Sequence, residues 1–323
     1  MQKEIQINDS AVNRLITLNK NKHLAHAYLF IGPKDSGKGE TALTIAKIIN
    51  CEKNIEGKEI QACDGCPSCV KVNAGHHPDI HITESAYGDT IKIEEVRDLL
   101  DQIRLRPFMG VKKIFIMKNI ENLTAEAGNA LLKTLEEPSA NSLLLLTTSV
   151  LEKNLDTIKS RCHAIYFLPT ANNRLAEVLT KYHHQDPLDA HFLAYFSEGC
   201  LGKAKKLKDD KIIERKNDII DRFILSDGGE AFLKEILAEK DKTKEFLDIL
   251  LCWVHDALLV KAQAAEENLI NQDRVKDLNK FQLRHSFAEL ESLYEEIVKM
   301  CQWLDENLNL KMPLLIIKER LHG

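Results

Sequence analysis

The chain has 323 residues, 44% of them hydrophobic and 29% charged, with a net charge of −5 at neutral pH. That balance describes an ordinary globular protein of two or three domains and speaks against free-standing, non-specific nucleic-acid binding, which needs a cationic surface. No apolar run approaches the roughly 18 residues of a membrane helix, and the N-terminal MQKEIQINDSAV lacks the apolar stretch of a signal peptide. Eight cysteines, half of them in one cluster, point to a cytoplasmic, metal-binding chain rather than a disulfide-stapled one.

In chain order, the apolar run Ala27 to Ile31 reads as a short strand that leads directly into Gly32-Pro-Lys-Asp-Ser-Gly-Lys-Gly39. This octet follows the phosphate-binding pattern G-x-x-x-x-G-K-[ST] at Gly32, Gly37 and Lys38. It breaks at Gly39, where a hydroxyl should hold magnesium. Thr41 to Ile49 carries apolar residues at helical spacing, so the loop sits in the strand–loop–helix setting it requires. Two readings stand. The backbone N–H groups at a helix N-terminus attract anions without any metal, so the loop either still takes nucleotide or is only a tight connection.

Cys51, Cys63, Cys66 and Cys69 follow with the spacing C-x11-C-x2-C-x2-C, and Asp64, Gly65, Pro67 and Ser68 supply tight turns. Four thiolates can close a tetrahedral zinc site with no open position, so the expected role is structural. The other reading is a set of free thiols in a loop. His76 and His77 lie near enough to ligate, but a complete quartet makes them unnecessary and they read as loop histidines.

Further strands are predicted at Asp79 to Thr83, Ile114 to Met117, Leu143 to Thr147 and Ala164 to Leu168, with an amphipathic helix from Ile93 to Leu105 stopped by Pro107. Thr124 is placed to cap a helix through AGNALLKTLEE to Pro138. Such alternation implies a parallel sheet covered by helices. A hydrolysing domain needs carboxylates after the strand Lys113 to Met117, to hold magnesium and activate water. The sequence offers Lys118 and Asn119 there, and Glu121 falls later along the chain. Hydrolysis is therefore not expected. Arg161, on the turn TIKSRC, reads either as a surface arginine or as one that reaches the γ-phosphate of a nucleotide on a neighbouring subunit. After Pro169 the pattern turns helical, with segments at Arg174 to Tyr182, Asp189 to Phe196 and Lys203 to Leu207, a loop at Ser226-Asp-Gly-Gly229, and long helices beyond. Lys203, Lys205, Lys206 and Lys208 read as a solvated helix face or as a local nucleic-acid contact.

Together HAYLFIGPKDSGKG, the cysteine quartet, AGNALLKTLEEPS, LLLLTT, the SRC at 160–162 and NLNLKMPLLI resemble the subunits of the bacterial DNA polymerase III clamp loader, of the AAA+ class. The match runs through most of the chain, and NALLKTLEEP followed by SRC is its most specific part. The resemblance implies an α/β AAA+ core with a parallel sheet of the P-loop type over 1–168, carrying a four-cysteine zinc-binding insertion at 51–69. A helical lid over 169–208 and an all-α collar, or oligomerisation, domain over 209–323 would follow. Within the family, gamma/tau subunits are expected to keep the loop hydroxyl and the acidic pair. Gly39, Lys118-Asn119 and an end directly after the collar-like helices point instead to the delta-prime type, which does not hydrolyse ATP. The implied partners are gamma/tau and delta in a five-subunit ring, with the sliding clamp and primer-template DNA met through the complex and no membrane. The implied cofactor is structural zinc, with ATP retention left open. Arg161 would act in trans on a neighbour's ATP, and Lys203 stands where lids that sense ATP usually have arginine.

Overall fold

Five strands, all parallel, build the first part of the chain: β1 (Ala27–Ile31), β2 (Ile80–Thr83), β3 (Lys113–Met117), β4 (Ser142–Thr148) and β5 (His163–Tyr166), in the order β2-β3-β4-β1-β5. A computed structural model describes residues 9–21, 23–54, 61–84, 90–150, 156–226 and 230–322. It divides into two units, Met1–Thr170 with Cys200–Lys203, and Ala171–Gly199 with Ala204–Gly323. Asp227, Gly228 and Gly229 of the expected loop lie outside the described residues.

The central strands are apolar on both faces, as strands covered on both sides must be. Tyr28, Phe30, Ile114, Ile116, Leu143 and Leu145 face α1 (Asp9–Lys20) and α2 (Lys38–Ile49), where Val12, Leu15, Ile45 and Ile49 meet them. The alternate residues Leu29, Ile31, Phe115, Met117, Leu144 and Leu146 face α4 (Ile93–Ile103) and α5 (Ala125–Glu136) through Val96, Leu99, Leu131 and Leu135. Between α2 and α4 lies the short α3 (Pro67–Asn73), and α6 (Asp156–Lys159) precedes β5. The expected strands are all present. Thr124 caps α5 as expected, its side chain accepting from the N–H of Ala127.

Parallel strands give the sheet two unlike edges. At the carboxyl edge the phosphate loop follows β1, Glu84 follows β2, Lys118 follows β3 and Ser149 follows β4. At the amino edge lie Asp79 before β2, the segment 108–112 before β3 and Arg161 before β5. Helix α2, about 18 Å long for its length, runs from the loop at one edge to Cys51 at the other.

Asp79 organises the amino edge. It is fully buried, and its carboxylate accepts the N–H groups of Phe108 (2.7 Å), Met109 (2.8 Å) and Gly110 (2.7 Å). Burial alone would raise its pKa, but these three donors together hold it below the ordinary carboxylate value. Because the folded pKa is depressed, this stabilisation is present above the unfolded-state value and is lost as the pH falls through the folded one. Asp79→Asn should lower the stability of this unit by about 3 kcal/mol at neutral pH, since an amide cannot accept all three bonds. Urea midpoints measured across a pH series check this, and the gap to wild type should narrow toward acid.

The second unit is helical: α7 (Asn172–His183), α8 (Pro187–Phe196), α9 (Leu201–Asp209, from Ala204 onward), α10 (Ile212–Ile219), α11 (Glu230–Ile236), α12 (Lys240–Lys261), α13 (Val275–Arg284), α14 (Phe287–Asp305) and α15 (Lys311–His322). Phe223, Phe246, Trp253 and Phe281 fill its core. Lys216, almost completely buried, is neutralised by Asp273 at 2.7 Å and lies over the ring of Phe192. No helix among the described residues is long and apolar enough to cross a membrane.

Candidate phosphate loop, metal centre and arginine

The phosphate loop closes on its own lysine. Lys38 is buried, and its Nζ donates to the carbonyls of Gly32 (2.8 Å) and Pro33 (2.6 Å), with the hydroxyls of Ser36 and Ser149 each at 3.4 Å. Burial pushes its pKa down, and the nearby Glu121 carboxylate opposes that. Gly37 starts α2 from a left-handed backbone with φ of 84°, which favours glycine. Gly32 is packed tightly: a Cβ there would lie 2.3 Å from the carbonyl oxygen of Phe167. The N–H of Gly202 donates to the carbonyl of Asp35 at 3.1 Å, which places the half-buried Lys203 next to a residue in contact with the loop.

At Gly39 the two sequence departures meet. A Cβ on Gly39 would lie 3.0 Å from Cε and 3.6 Å from Nζ of Lys118. The side chain of Lys118 thus covers the position from which a hydroxyl would hold magnesium, and its ammonium pairs with Glu84 at 2.8 Å. A cation tethered there would repel a metal ion brought to the same place, since like charges repel. Asn119 takes a left-handed conformation and directs its N–H to Thr147 Oγ1 at 3.2 Å. Glu121 is set aside by the sequence reading as too late in the chain. A single 3-10 turn, Ile120–Asn122, folds it back, and its Oε1 accepts the N–H of Ser149 at 3.0 Å. Its Oε2 is buried without a hydrogen-bond partner.

At the amino edge the four cysteines converge. The Sγ atoms of Cys51, Cys63, Cys66 and Cys69 all lie within 4.8 Å of one another. A tetrahedral thiolate site with bonds of about 2.3 Å requires sulfurs about 3.8 Å apart, so the set fits a soft tetrahedral cation with little adjustment. Backbone N–H groups are aimed at the sulfurs: Cys66 at Cys63 (3.3 Å), Cys69 at Cys66 (3.4 Å) and Cys63 at Cys51 (3.5 Å). The N–H groups of Gly65 and then Cys66 hold the Cys63 thiol down to about 6, whereas burial pushes Cys51 and Cys69 up. Cys66 also caps α3, with Pro67 at the first helical position. Asp64 turns the chain with φ of 56° and pairs with Lys47, which is buried in α2.

His77 is more than a loop histidine. Its Nδ1 accepts the N–H of Asp79 (3.1 Å), which leaves Nε2 to donate to Ser68 Oγ (3.0 Å), and Ser68 in turn donates to the carbonyl of Asn50 (2.6 Å). The neutral ring therefore fastens α3 to the start of β2. With both nitrogens engaged it is no ligand. His76 is exposed.

Arg161 stands at the opposite edge from the phosphate loop of its own chain. β5 pairs with β1 so that Tyr28 is opposite His163 and Ile31 opposite Tyr166, and the N–H of Phe167 donates to the carbonyl of Ile31. From His163 to Phe167, which stands level with the end of β1, the strand rises about 13 Å, and Arg161 lies in the turn before it. An arginine side chain cannot span that distance. The guanidinium instead rests on Glu136 at the end of α5, with Nε at 2.9 Å and Nη2 at 2.6 Å from one carboxylate oxygen. Its Nη1 donates to the carbonyl of Thr157 (3.0 Å) and to Ser160 Oγ (3.2 Å).

Residues 7–171 match the family described as DNA polymerase III, delta subunit, and residues 212–319 match DNA polymerase III, delta subunit, C terminal. The chain is 28% identical over 298 residues to DNA polymerase III subunit delta' of Bacillus subtilis, covering 89% of this chain and 88% of that one. It is 30% identical over 239 residues to subunit delta' of Pseudomonas aeruginosa, covering 72% and 70%. To DNA polymerase III subunit tau of Escherichia coli it is 33% identical over 192 residues, 58% of this chain and 29% of tau.

Proposed function

The chain belongs to the delta-prime family of DNA polymerase III clamp-loader subunits, and from that premise we propose that it is the non-hydrolysing member of the loader, supplying Arg161 to the ATP site of a neighbour. The observation that carries this reading is the separation of Arg161 from its own phosphate loop, at opposite edges of one parallel sheet. An arginine so placed is useless to the nucleotide of its own chain. On the face a neighbour would meet, it can neutralise charge that develops on a transferring phosphate.

The loop itself is read as a vestige. Gly32, Gly37 and Lys38 keep its shape, but Lys38 donates to loop carbonyls and Lys118 covers Gly39. The four cysteines hold zinc in a structural role, since four sulfurs leave no position for water. Residues 1–168 serve as the core, 169–208 as the lid and 209–323 as the collar. Exposed apolar side chains near the C-terminus, Trp303, Leu308, Met312 and Ile316, support a collar that buries apolar surface against gamma/tau and delta subunits in a ring of five. The sliding clamp and primer-template DNA are met through that ring, whose ATP-driven opening and closing this chain accompanies as a comparatively rigid partner.

A competing reading, an active ATPase of the gamma/tau type, draws on the likeness to tau and on the unpartnered Glu121 oxygen near Lys38. Turnover by the purified chain decides between them. No magnesium-dependent hydrolysis is expected. Hydrolysis that disappears in Lys38→Ala would overturn the proposal.

A further inference from the structure

We infer that Glu136 is a positioning residue that parks Arg161 away from the neighbouring ATP until a phosphate displaces it. The inference rests on the reading of Arg161 given above and assigns it a resting state. A guanidinium has five N–H donors in one plane. Here one from Nε and one from Nη2 go to Glu136 Oε1, and two from Nη1 go to Thr157 and Ser160, so four of the five are engaged. One free N–H cannot grip a phosphate bidentately. The arginine has to let go of a partner first.

The partners differ in how readily they are left. The contacts to Thr157 and Ser160 are local, within four residues of Arg161, and travel with its turn. Glu136 belongs to another element, the last residue of α5, and both side chains are substantially exposed, 34% for Arg161 and 53% for Glu136. An exposed ion pair is weak and screened by salt, whereas a polyphosphate offers several charged oxygens to the same fork. Exchange of Glu136 for phosphate is therefore favourable once a neighbour's ATP arrives, and costs little when it leaves. The carboxylate keeps the fork ordered in the open ring and competes with ATP for it.

The test uses the reconstituted ring with wild type, Glu136→Gln and Arg161→Ala, at low and raised salt. Gln keeps the shape but removes the competing charge. It should lower the KM for ATP roughly two- to fivefold, the range an exposed ion pair allows, with kcat unchanged. The difference should shrink as salt is raised. A lowered kcat with unchanged KM, or no difference at low salt, would overturn the parking role. If Arg161→Ala itself leaves turnover at the wild-type level, the reading of Arg161 fails, whatever Glu136→Gln does. The ion pair is checked separately in the full chain through the Nε–H resonance of Arg161. Its exchange with water should quicken in Glu136→Gln, and identical exchange in both proteins would also overturn the inference.

Discussion

Arg161→Ala is expected to slow hydrolysis at the one ATP site it faces by about 10³-fold or more, the effect typical of an arginine supplied in trans, while ring assembly proceeds normally. Assembly should survive because the hydrogen bonds of Arg161, to Glu136, Thr157 and Ser160, all lie at the surface. Turnover of the whole ring falls by the share of that site, and further if the sites fire in sequence. Arg161→Lys should recover only part of the loss, because an ammonium keeps the charge but lacks the planar fork. Size-exclusion of the reconstituted ring together with single-turnover ATP cleavage separates assembly from chemistry. Unchanged cleavage would rule the role out.

Removal of the metal should have the second large effect. Metal analysis of the chain purified under reducing conditions should return about one zinc per chain, and much less than that would decide against the site. Structural zinc contributes of order 10 kcal/mol to small domains that depend on it. Here the consequence should be local. The module is fastened to the core by His77 through Ser68 and Asp79, and by Lys47 through Asp64. A strong chelator, or Cys69→Ala at a fully buried sulfur, should loosen residues 61–73 while the sheet persists. Hydrogen exchange should therefore rise across α3 and the cysteine turns and stay unchanged in β1, β3 and β4. Global unfolding on chelation would show that the module underpins the whole unit.

Much of this is legible in the sequence, for physical reasons. Strands covered on both faces read as continuous apolar runs, so AYLFI, KIFIM and LLLLTT announced themselves, and the four cysteines are a spacing signal that tolerates few other readings. The misses have different causes, some local and some set by residues distant in sequence. Helix α1 carries Ala11, Val12, Leu15 and Ile16 at helical spacing, a local signal that is legible in the sequence but absent from the predicted elements. His77 looked like a loop residue because Ser68 and Asp79 become its partners only when the cysteine module folds against β2. Glu121 looked too late in the chain because one turn of 3-10 helix is invisible to hydrophobic periodicity. Gly39 and Lys118 were each legible as losses. That they are in contact, one filling the space the other lacks, needed the sheet register to bring β3 beside the loop.

On the proposed reading, one fold divides its labour between an idle phosphate loop at one edge and a working arginine at the other. One paired measurement tests that division: DNA-stimulated ATP turnover of the ring carrying this chain as Lys38→Ala or as Arg161→Ala. Wild-type turnover is expected for the first and a clear loss for the second. A loss with Lys38→Ala and none with Arg161→Ala would contradict it.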